Sequence, residues 1–345
     1  MTAVLEIEDV SAGWLSGALG CEVTAFERQR VGTGQTGASY RLQLQTEDGP
    51  SSLIAKVAHG SLEARGRVKG GYAAEVGFYS QLADTVDVRM PRCWYAQISP
   101  DHLHCLLLLE DLAPRRPGVQ AEGCSVARSR EAIRNLAGLH APHWNDAALH
   151  QCGFLINTFE PGRVDFLIGI TRPAAAQFVE RYREQLGEED CATVLAAAQC
   201  IDRWLRAADR PFSVIHGDYR LDNLLFGDSD GDVYALDWQT AALGPPLRDL
   251  AYFLGTCLSV EDRRAAEREL VTLYHDELLA RGIRDYDFAQ CFDDYRLGQL
   301  QATMITTIGC IYATGERSAD SDAMFLAMAK RSCAAIRDLD TLALL

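Results

Sequence analysis

Apolar and polar residues alternate over residues 40–45, where Tyr, Leu and Leu are interleaved with Arg, Gln and Gln. A period of two residues is that of a half-buried β-strand, so this segment is predicted to be one. Neighbouring strands are predicted at 26–31 and 53–57, and a hairpin of two more at 93–98 and 104–109. The first hundred residues are therefore predicted to be mainly β-structure.

Within the first hundred residues, apolar residues at helical spacing predict one helix, at 72–83. After residue 118 this helical pattern dominates the chain. Further helices are predicted at 129–140, at roughly 288–312 and at 322–339. Capping chemistry predicts three helix boundaries: Thr171 and Ser259 as N-caps, and Gly282 as a C-terminal stop.

The change of pattern after residue 110 divides the chain into two parts. Residues 114–118 have the proline- and glycine-containing composition of a linker. We predict an α+β, bilobal fold, with a β-rich N-terminal lobe over residues 1–110 and a mainly helical C-terminal lobe over residues 111–345.

Composition narrows the classes of function. The 345-residue chain is 48% hydrophobic and has a net charge of −15 with no basic run, which argues against nucleic acid as the main partner. Eleven cysteines without a C-x-x-C pair indicate a reducing, cytoplasmic location. The N-terminus lacks the features of a signal peptide, and no apolar run approaches the ~20 residues that cross a bilayer. The oligomeric state stays open.

Candidate chemistry is concentrated in the segment His216-Gly217-Asp218-Tyr219-Arg220-Leu221-Asp222-Asn223, which is followed by Asp237. A carboxylate, an amide five residues later and a second carboxylate on the next strand are the groups that phosphoryl transfer from a nucleotide needs. Short predicted strands bring these groups to one sheet edge; they cover 212–215, 223–226 and 233–236.

Each group of this segment has an expected role. Asp218 is the candidate catalytic carboxylate, which either orients the acceptor hydroxyl or removes its proton. Asn223 and Asp237 are candidate magnesium ligands, because oxygen donors suit a hard octahedral ion. Arg220 is placed to reach the transferring phosphate, with a surface role as the alternative.

Three neighbouring residues are expected to serve the structure. His216 is predicted to brace the loop by hydrogen bonding rather than to titrate. Asp222 is predicted to be exposed or to form a local turn. Asp249 is predicted to open a helix, to cap its backbone N–H groups and to support the catalytic loop.

The N-terminal part carries a candidate nucleotide site. Gly32, Gly34 and Gly37 form G-x-G-x-x-G between two predicted strands, which fits a loop over phosphates better than a Rossmann turn; an ordinary glycine-rich turn is the alternative. Lys56 is a candidate phosphate ligand, or else a lysine facing solvent. Glu75, on the next helix, is its candidate partner, or else a solvated side chain.

These residues resemble the aminoglycoside phosphotransferase family, whose relatives include choline kinases. The resemblance rests on His216 to Asn223, on Asp237-Trp238 and on Asp249-Leu250-Ala251, and extends in order over nearly the whole chain. It implies a protein-kinase-like fold, ATP or sometimes GTP, magnesium, and phosphorylation of a hydroxyl on a small molecule. It also implies that the hinge backbone around Glu110 and Leu112 binds adenine.

One subset of the family is most similar after Asp237. Leu236 to Gln239 and Leu247 to Tyr252 resemble phosphotransferase domains associated with acyl-CoA dehydrogenases. Gln239 departs from the family, in which Glu is frequent at this position. The sequence leaves the acceptor open among amino-alcohols, hydroxyacyl thioesters, sterol-like alcohols, sugars and antibiotics.

Two other functions compete with a small-molecule kinase. A protein kinase is disfavoured for two reasons. The stretch from Asp237 to Asp249 is too short for an activation segment that docks peptides, and His216-Gly217, directly before Asp218, lacks the arginine that would pair with a phosphorylated loop. A non-catalytic nucleotide-binding or interaction module is disfavoured because Lys56, Asp218, Asn223 and Asp237 are all present. Fold alone does not decide among them.

Overall fold

The strand-patterned N-terminal region forms one antiparallel sheet. The computed structural model describes residues 4–32, 37–207, 211–229, 231–312 and 317–345. In chain order the elements are α1 (Ala12–Leu19), β1 (Val23–Val31), β2 (Gly37–Thr46), β3 (Ser52–Ala58), α2 (Leu62–Gly77), β4 (Cys93–Ile98) and β5 (Cys105–Glu110). The sheet has the strand order β1-β2-β3-β5-β4.

Burial of both sheet faces follows from the side-chain alternation. Leu42 of β2 lies opposite Leu53 of β3, and both are fully buried in a core that α1 covers. In β5, Leu106 and Leu108 face this core, while Leu107 and Leu109 face a larger core shared with the helical region. The continuous apolar run of β5 is therefore that of a central strand covered on both sides.

Helices dominate the rest of the chain, as predicted. The elements are β6 (Arg116–Pro117), α3 (Val126–His140), β7 (Ile156–Asn157), α4 (Pro161–Leu205), β8 (Ser213–Ile215), β9 (Leu224–Phe226), β10 (Val233–Ala235), β11 (Ala242–Gly244), α5 (Leu247–Cys257), α6 (Val260–Ala280), α7 (Phe288–Gly298), α8 (Leu300–Tyr312) and α9 (Ala319–Asp338). The short strands of the described residues pair in two small sheets, ordered β10-β9-β6 and β7-β11-β8. The α+β, bilobal prediction is confirmed, and its boundary at residues 110 and 111 stays a prediction.

Two helix starts were predicted wrongly. Thr171 is not an N-cap, because α4 begins ten residues earlier at Pro161, where Glu160 accepts hydrogen bonds from two backbone N–H groups. The Thr171 hydroxyl instead donates to the carbonyl of Leu167 at 2.6 Å, inside the helix. Similarly, α2 begins at Leu62 rather than 72, because its first turns are mostly exposed and show no apolar stripe.

Other boundaries are closer to prediction. Ser259 caps α6 by accepting from the N–H of Asp262 at 3.0 Å, and Gly282 follows the helix with a φ of +99°. The long helix predicted over 288–312 is divided in two at Gln299, whose side chain is buried. Over the residues described, no helix is both long and apolar enough to cross a membrane.

Candidate active site

The loop between β8 and β9 is held in place by Asp249 of α5. One oxygen of this fully buried carboxylate accepts the backbone N–H of His216 at 2.6 Å, and the other accepts that of Gly217 at 2.9 Å. Asp249 therefore supports the loop as predicted, but it does so by binding loop N–H groups and not by capping its own helix, whose N-cap is Pro246.

His216 and Gly217 fix the course of the loop. The Nε2 atom of His216 lies 2.8 Å from the carbonyl of Leu236, and its Nδ1 accepts the N–H of Asp218 at 3.3 Å. Both ring nitrogens are thus used in bracing. Gly217 has a φ of +80°, and a Cβ atom there would lie 2.6 Å from the carbonyl oxygen of Thr240, so only glycine fits.

A buried histidine on α3, which sequence reasoning missed, backs this support. His140 Nε2 lies 3.3 Å from the Asp249 carboxylate, and its Nδ1 lies 2.7 Å from the hydroxyl of Tyr274. Both His140 and Asp249 are fully buried. No local motif marks a contact between residues 109 positions apart, so the sequence carries no signal for it.

Asp218 points into the site and receives three donors. Asn223 Nδ2 donates to its carboxylate at 2.9 Å, the hydroxyl of Tyr252 donates at 2.9 Å, and Arg220 Nε lies 3.3 Å away. Burial raises the pKa of Tyr252 well above its usual value, and the negative charge of Asp218 raises it further. Tyr252 therefore stays protonated and acts as a donor to the carboxylate.

Arg220 lies between two carboxylates and not on the surface. Its Nη1 donates to Asp222 at 2.5 Å, and the same atom lies 3.1 Å from the sulfur of Met324 on α9. Asp222 also accepts the backbone N–H of Gln120 at 3.0 Å. Asp222 is thus neither simply exposed nor only a turn former, because it positions Arg220 and ties the loop to the segment before α3.

Lys56 of β3 connects the N-terminal sheet with Asp237, which lies two residues beyond β10. Its ammonium group donates to Glu75 Oε1 at 2.7 Å and to Asp237 Oδ1 at 2.9 Å. The Glu75 side chain is only 3% exposed, whereas that of Asp237 is 45% exposed. Lys56 therefore points inward, and Glu75 is its buried partner, in place of the solvent-facing alternatives.

Mutual attraction sets the charges of these three groups. Burial lowers the pKa of Lys56, but Asp237 and Glu75 raise it by more, so the ammonium stays charged. Burial raises the pKa of Asp237, yet the attraction of Lys56 outweighs it and the pKa lies below its usual value. In the deeply buried Glu75, burial prevails over Lys56 and the pKa is raised. The more exposed Asp237 is thus the carboxylate of this group that a ligand can reach.

Asn223 and Asp237 line the same cavity. The Asn223 amide nitrogen donates to the backbone carbonyl and the carboxylate of Asp218, both at 2.9 Å, which leaves the amide oxygen as the outward donor atom. Asp237 has a left-handed backbone, with a φ of +63°, and offers its second carboxylate oxygen. Two such oxygen ligands fit Mg²⁺, which takes one or two protein ligands besides phosphates and water.

The described ranges contain no cluster of three or more His, Cys, Asp or Glu residues that could hold a metal. A site closed by protein ligands alone, such as structural zinc, is therefore not found in that part of the chain. A magnesium ion held partly by a bound nucleotide needs only the two oxygen ligands just described.

Two of the three candidate glycines lie where β1 is followed by β2. Gly32 follows β1 with a φ of +72°, and Gly37 opens β2, where an added Cβ atom would lie 3.3 Å from the carbonyl of Val57 and 3.6 Å from the side chain of Lys56. Gly34 lies outside the described residues. A strand on either side agrees with the rejection of a Rossmann turn, which leads from a strand into a helix.

The hinge candidates lie at the end of β5, where Glu110 is the last residue of the strand and Leu112 lies two residues beyond it. Glu110 is exposed, and its backbone N–H donates to the carbonyl of Arg92 at 2.8 Å. Leu112 is buried, and its carbonyl accepts the N–H of Arg115 at 3.1 Å. Within the part of the chain that the structure describes, no acceptor pairs with the N–H of Leu112, so this donor is available to a ligand.

A cavity of about 820 Å³ opens in front of the loop. Asp218, Asn223 and Asp237 line one part of it, and residues of α4, α8 and α9 line the rest. Asp218, Asn223 and Asp237 therefore share one cavity, which is large enough for a small molecule.

Comparison with known proteins identifies the family. Residues 28–297 match the model of the APH phosphotransferase enzyme family. The chain belongs to this family. Curated relatives match over short segments only: human acyl-CoA dehydrogenase family member 11 is 41% identical over 64 residues, 17% of this chain and 8% of its own length. Mouse acyl-CoA dehydrogenase family member 10 is 46% identical over 48 residues, 14% of this chain and 4% of its length.

Solved structures of family relatives share the fold. Choline kinase from Cryptosporidium parvum has a TM-score of 0.59 at 10% identity, covering 98% of this chain and 93% of that one. Plasmodium vivax ethanolamine kinase has a TM-score of 0.55 at 10% identity, covering 98% and 87%. The GDP complex of wild-type aminoglycoside 2′-phosphotransferase-IIIa has a TM-score of 0.52 at 14% identity, covering 94% of each chain. At such identities the likeness shows the protein-kinase-like fold alone.

Proposed function

We propose that this protein is an ATP-dependent kinase that phosphorylates a hydroxyl group of a small molecule, with magnesium as cofactor. The observation that carries the proposal is the common cavity onto which Asp218 and the oxygen pair of Asn223 and Asp237 open. Transfer forms a bond between the acceptor oxygen and the γ-phosphorus and breaks the bond from that phosphorus to the β–γ bridging oxygen.

The residues divide this work between them. Asp218 binds the acceptor hydroxyl and orients it, or accepts its proton, as oxygen attacks phosphorus. Arg220, held by Asp218 and Asp222, extends over the transferring group. Asn223 and Asp237 would hold Mg²⁺, which supplies charge neutralisation at the phosphates when bound.

The nucleotide is proposed to lie against the N-terminal sheet. Lys56, anchored by Glu75, would contact its phosphates beneath the loop of Gly32, Gly34 and Gly37. The free N–H of Leu112 and the backbone near Glu110 would bind the base. We assign this part, residues 1–110, to nucleotide binding, and residues 111–345 to the catalytic loop and acceptor pocket. We propose ATP as the phosphate donor, with GTP as the alternative.

The test is a magnesium-ATP consumption assay over a panel of hydroxyl compounds, with mass detection of the phosphorylated product. Turnover with one chemical class would establish the kinase. Failure to bind magnesium-ATP at all would favour a non-catalytic interaction module, and phosphate incorporation into a peptide library alone would favour a protein kinase.

Replacing Tyr252 with phenylalanine is expected to lower kcat about tenfold or more. The lost hydrogen bond goes to the ionised Asp218, and bonds to charged groups contribute about 1.5–3 kcal/mol. The KM for magnesium-ATP should stay unchanged, because the Tyr252 hydroxyl contacts Asp218 and neither Lys56 nor Asp237. Steady-state kinetics measure both constants.

Tyr219→Phe is the matched control for this change. Tyr219 is equally buried and follows Asp218 in the catalytic loop, but its hydroxyl donates to the backbone carbonyl of Ala132 at 2.8 Å. Equal losses of kcat in the two variants would show that Tyr252 acts only through packing.

Replacing Glu75 with glutamine is expected to lower kcat by about ten- to a hundredfold. The change weakens the hold on Lys56, and a small displacement of a positioning group costs rates of this order. Glu63→Gln is the control, because Glu63 lies on the same helix with its side chain 79% exposed. Wild-type kcat in the Glu75→Gln protein would mean that Asp237 alone positions Lys56.

A further inference from the structure

The wall of the cavity opposite the catalytic loop is largely apolar. It is formed by α8 and α9, which contribute Ile305, Ile311, Met324, Phe325 and Met328. Burial of a ligand's apolar surface against these side chains is favourable, and these five side chains offer no oxygen acceptors to the hydroxyls and amines of a sugar.

The carboxylate on this wall is already engaged. Asp322 accepts two hydrogen bonds from Arg317, at 2.6 and 2.7 Å, and one from the hydroxyl of Tyr182 at 2.6 Å. Closer to the loop, Asp222 is engaged by Arg220 and by Gln120. Neither carboxylate is therefore free to bind a cationic acceptor.

Arg181 of α4 adds a further positive charge to the cavity, beside Arg317 and Arg220. Its charge acts on Asp322 without a direct ion pair. Arg181 lines the cavity, and its Nη1 atom lies 3.3 Å from the carbonyl of Cys310 and 3.5 Å from the sulfur. Within the described ranges, no carboxylate lies within ion-pair distance of its guanidinium. A guanidinium has five N–H donors, so most of those of Arg181 are available to a ligand.

We propose that the acceptor is an amphipathic alcohol, with an apolar body along α8 and α9 and a distal anionic group that pairs with Arg181. This inference rests on the proposed function and names its substrate class. A carboxylate or a phosphate ester matches the planar donor array of arginine, often through two hydrogen bonds. A polycation would instead bring its charge against Arg181, while the two described carboxylates next to this wall, Asp322 and Asp222, are engaged by arginines.

The test uses α,ω-substituted alkanols of equal chain length, over several lengths. One series ends in a carboxylate, one in a phosphate ester, one in a neutral hydroxyl and one in an amine. Binding is measured by calorimetry in the presence of a non-hydrolysable ATP analogue and magnesium, and transfer by product mass. The anionic series is expected to have the highest kcat/KM, and the two anionic ends identify which anion Arg181 prefers.

Arg181→Gln is expected to lower kcat/KM for the anionic probes about tenfold, which corresponds to 1.4 kcal/mol, and to leave the neutral diol unchanged. Arg181→Glu should reverse the order and favour the amine. Arg183→Gln is the matched control, since Arg183 lies on the same helix, is paired with Glu180 and is 65% exposed. Equal loss for charged and neutral probes in Arg181→Gln would overturn the role of Arg181.

Failure of this inference is distinguishable from failure of the proposed function. If the amine or neutral series is phosphorylated best by the wild-type protein, or if no anionic probe binds, the substrate class is wrong and the kinase stands. If the anionic probes bind but phosphate is not transferred although magnesium-ATP is bound, the substrate class stands and the kinase assignment is wrong.

Discussion

Replacing Asp218 with alanine is expected to lower kcat by about a hundred- to ten-thousand-fold, which is the usual contribution of a positioned acid or base. Nucleotide binding should survive, because Asn223 keeps a second hydrogen bond, from its Nδ2 to the backbone carbonyl of Asp218 at 2.9 Å. The Lys56–Asp237 pair does not involve the Asp218 side chain. Kinetics with the best acceptor of the panel, and calorimetry with magnesium-ATP, measure the two effects separately.

Two further variants sharpen this result. Asp218→Asn retains an acceptor for Tyr252 but cannot take up a proton at neutral pH, so its residual rate separates orientation from base catalysis. Asp228→Ala removes an exposed carboxylate from the turn between β9 and β10 and should leave kcat unchanged. Turnover by Asp218→Ala near the wild-type rate would contradict the assignment of the catalytic carboxylate.

The parts of the site that the sequence predicted depend on short-range spacing. Asp218 and Asn223 are five residues apart in one loop, and Asp237 follows the next hairpin, so local structure alone brings them to one edge. Lys56 and Glu75 are separated by 19 residues of regular structure, and their order along the chain was informative. Where chemistry and connectivity are both local, a pattern of residues predicts a site.

The parts that the sequence did not predict are contacts that helix residues make with groups far away along the chain. Tyr252 reaches Asp218 across 34 residues, and His140 reaches Asp249 across 109. Arg181 meets Cys310 across 129 residues. A tyrosine or histidine at helical spacing has the same pattern whether it packs in a core or orients a carboxylate, because only the packing of helices decides which group it faces.

The helix boundaries that were missed have a related cause. The first half of α2 carries Arg65, Arg67 and Gly70 and exposes most of its residues, so it lacks the apolar stripe that marks a helix. Its start is fixed by Ser61, which caps the N–H of Ala64 at 3.2 Å. In α4, Pro161 at the first turn was a valid start signal, but Thr171 and Pro173 form an equally acceptable one inside the helix.

Replacing Asp237 with asparagine is expected to abolish the gain in nucleotide affinity that magnesium provides. Asparagine tolerates the left-handed backbone at φ +63°, whereas alanine there would add strain of roughly 1–2 kcal/mol and confuse the outcome. The change removes the negative charge with which the exposed Asp237 carboxylate would attract Mg²⁺. Because even indirect partners of a metal ligand contribute about 10–100-fold to affinity, we expect at least about a tenfold loss.

Calorimetry of ATP binding with and without magnesium measures this effect. In the wild-type protein magnesium should tighten ATP binding, and in Asp237→Asn the two affinities should converge. Asp340→Asn is the matched control, because Asp340 also has a left-handed backbone, with a φ of 49°, and no capping hydrogen bond from its side chain. An unchanged magnesium effect in Asp237→Asn would mean that Asn223 and the phosphates hold the ion without Asp237. The role of the Asp237 carboxylate would then be to hold the ammonium group of Lys56 in place.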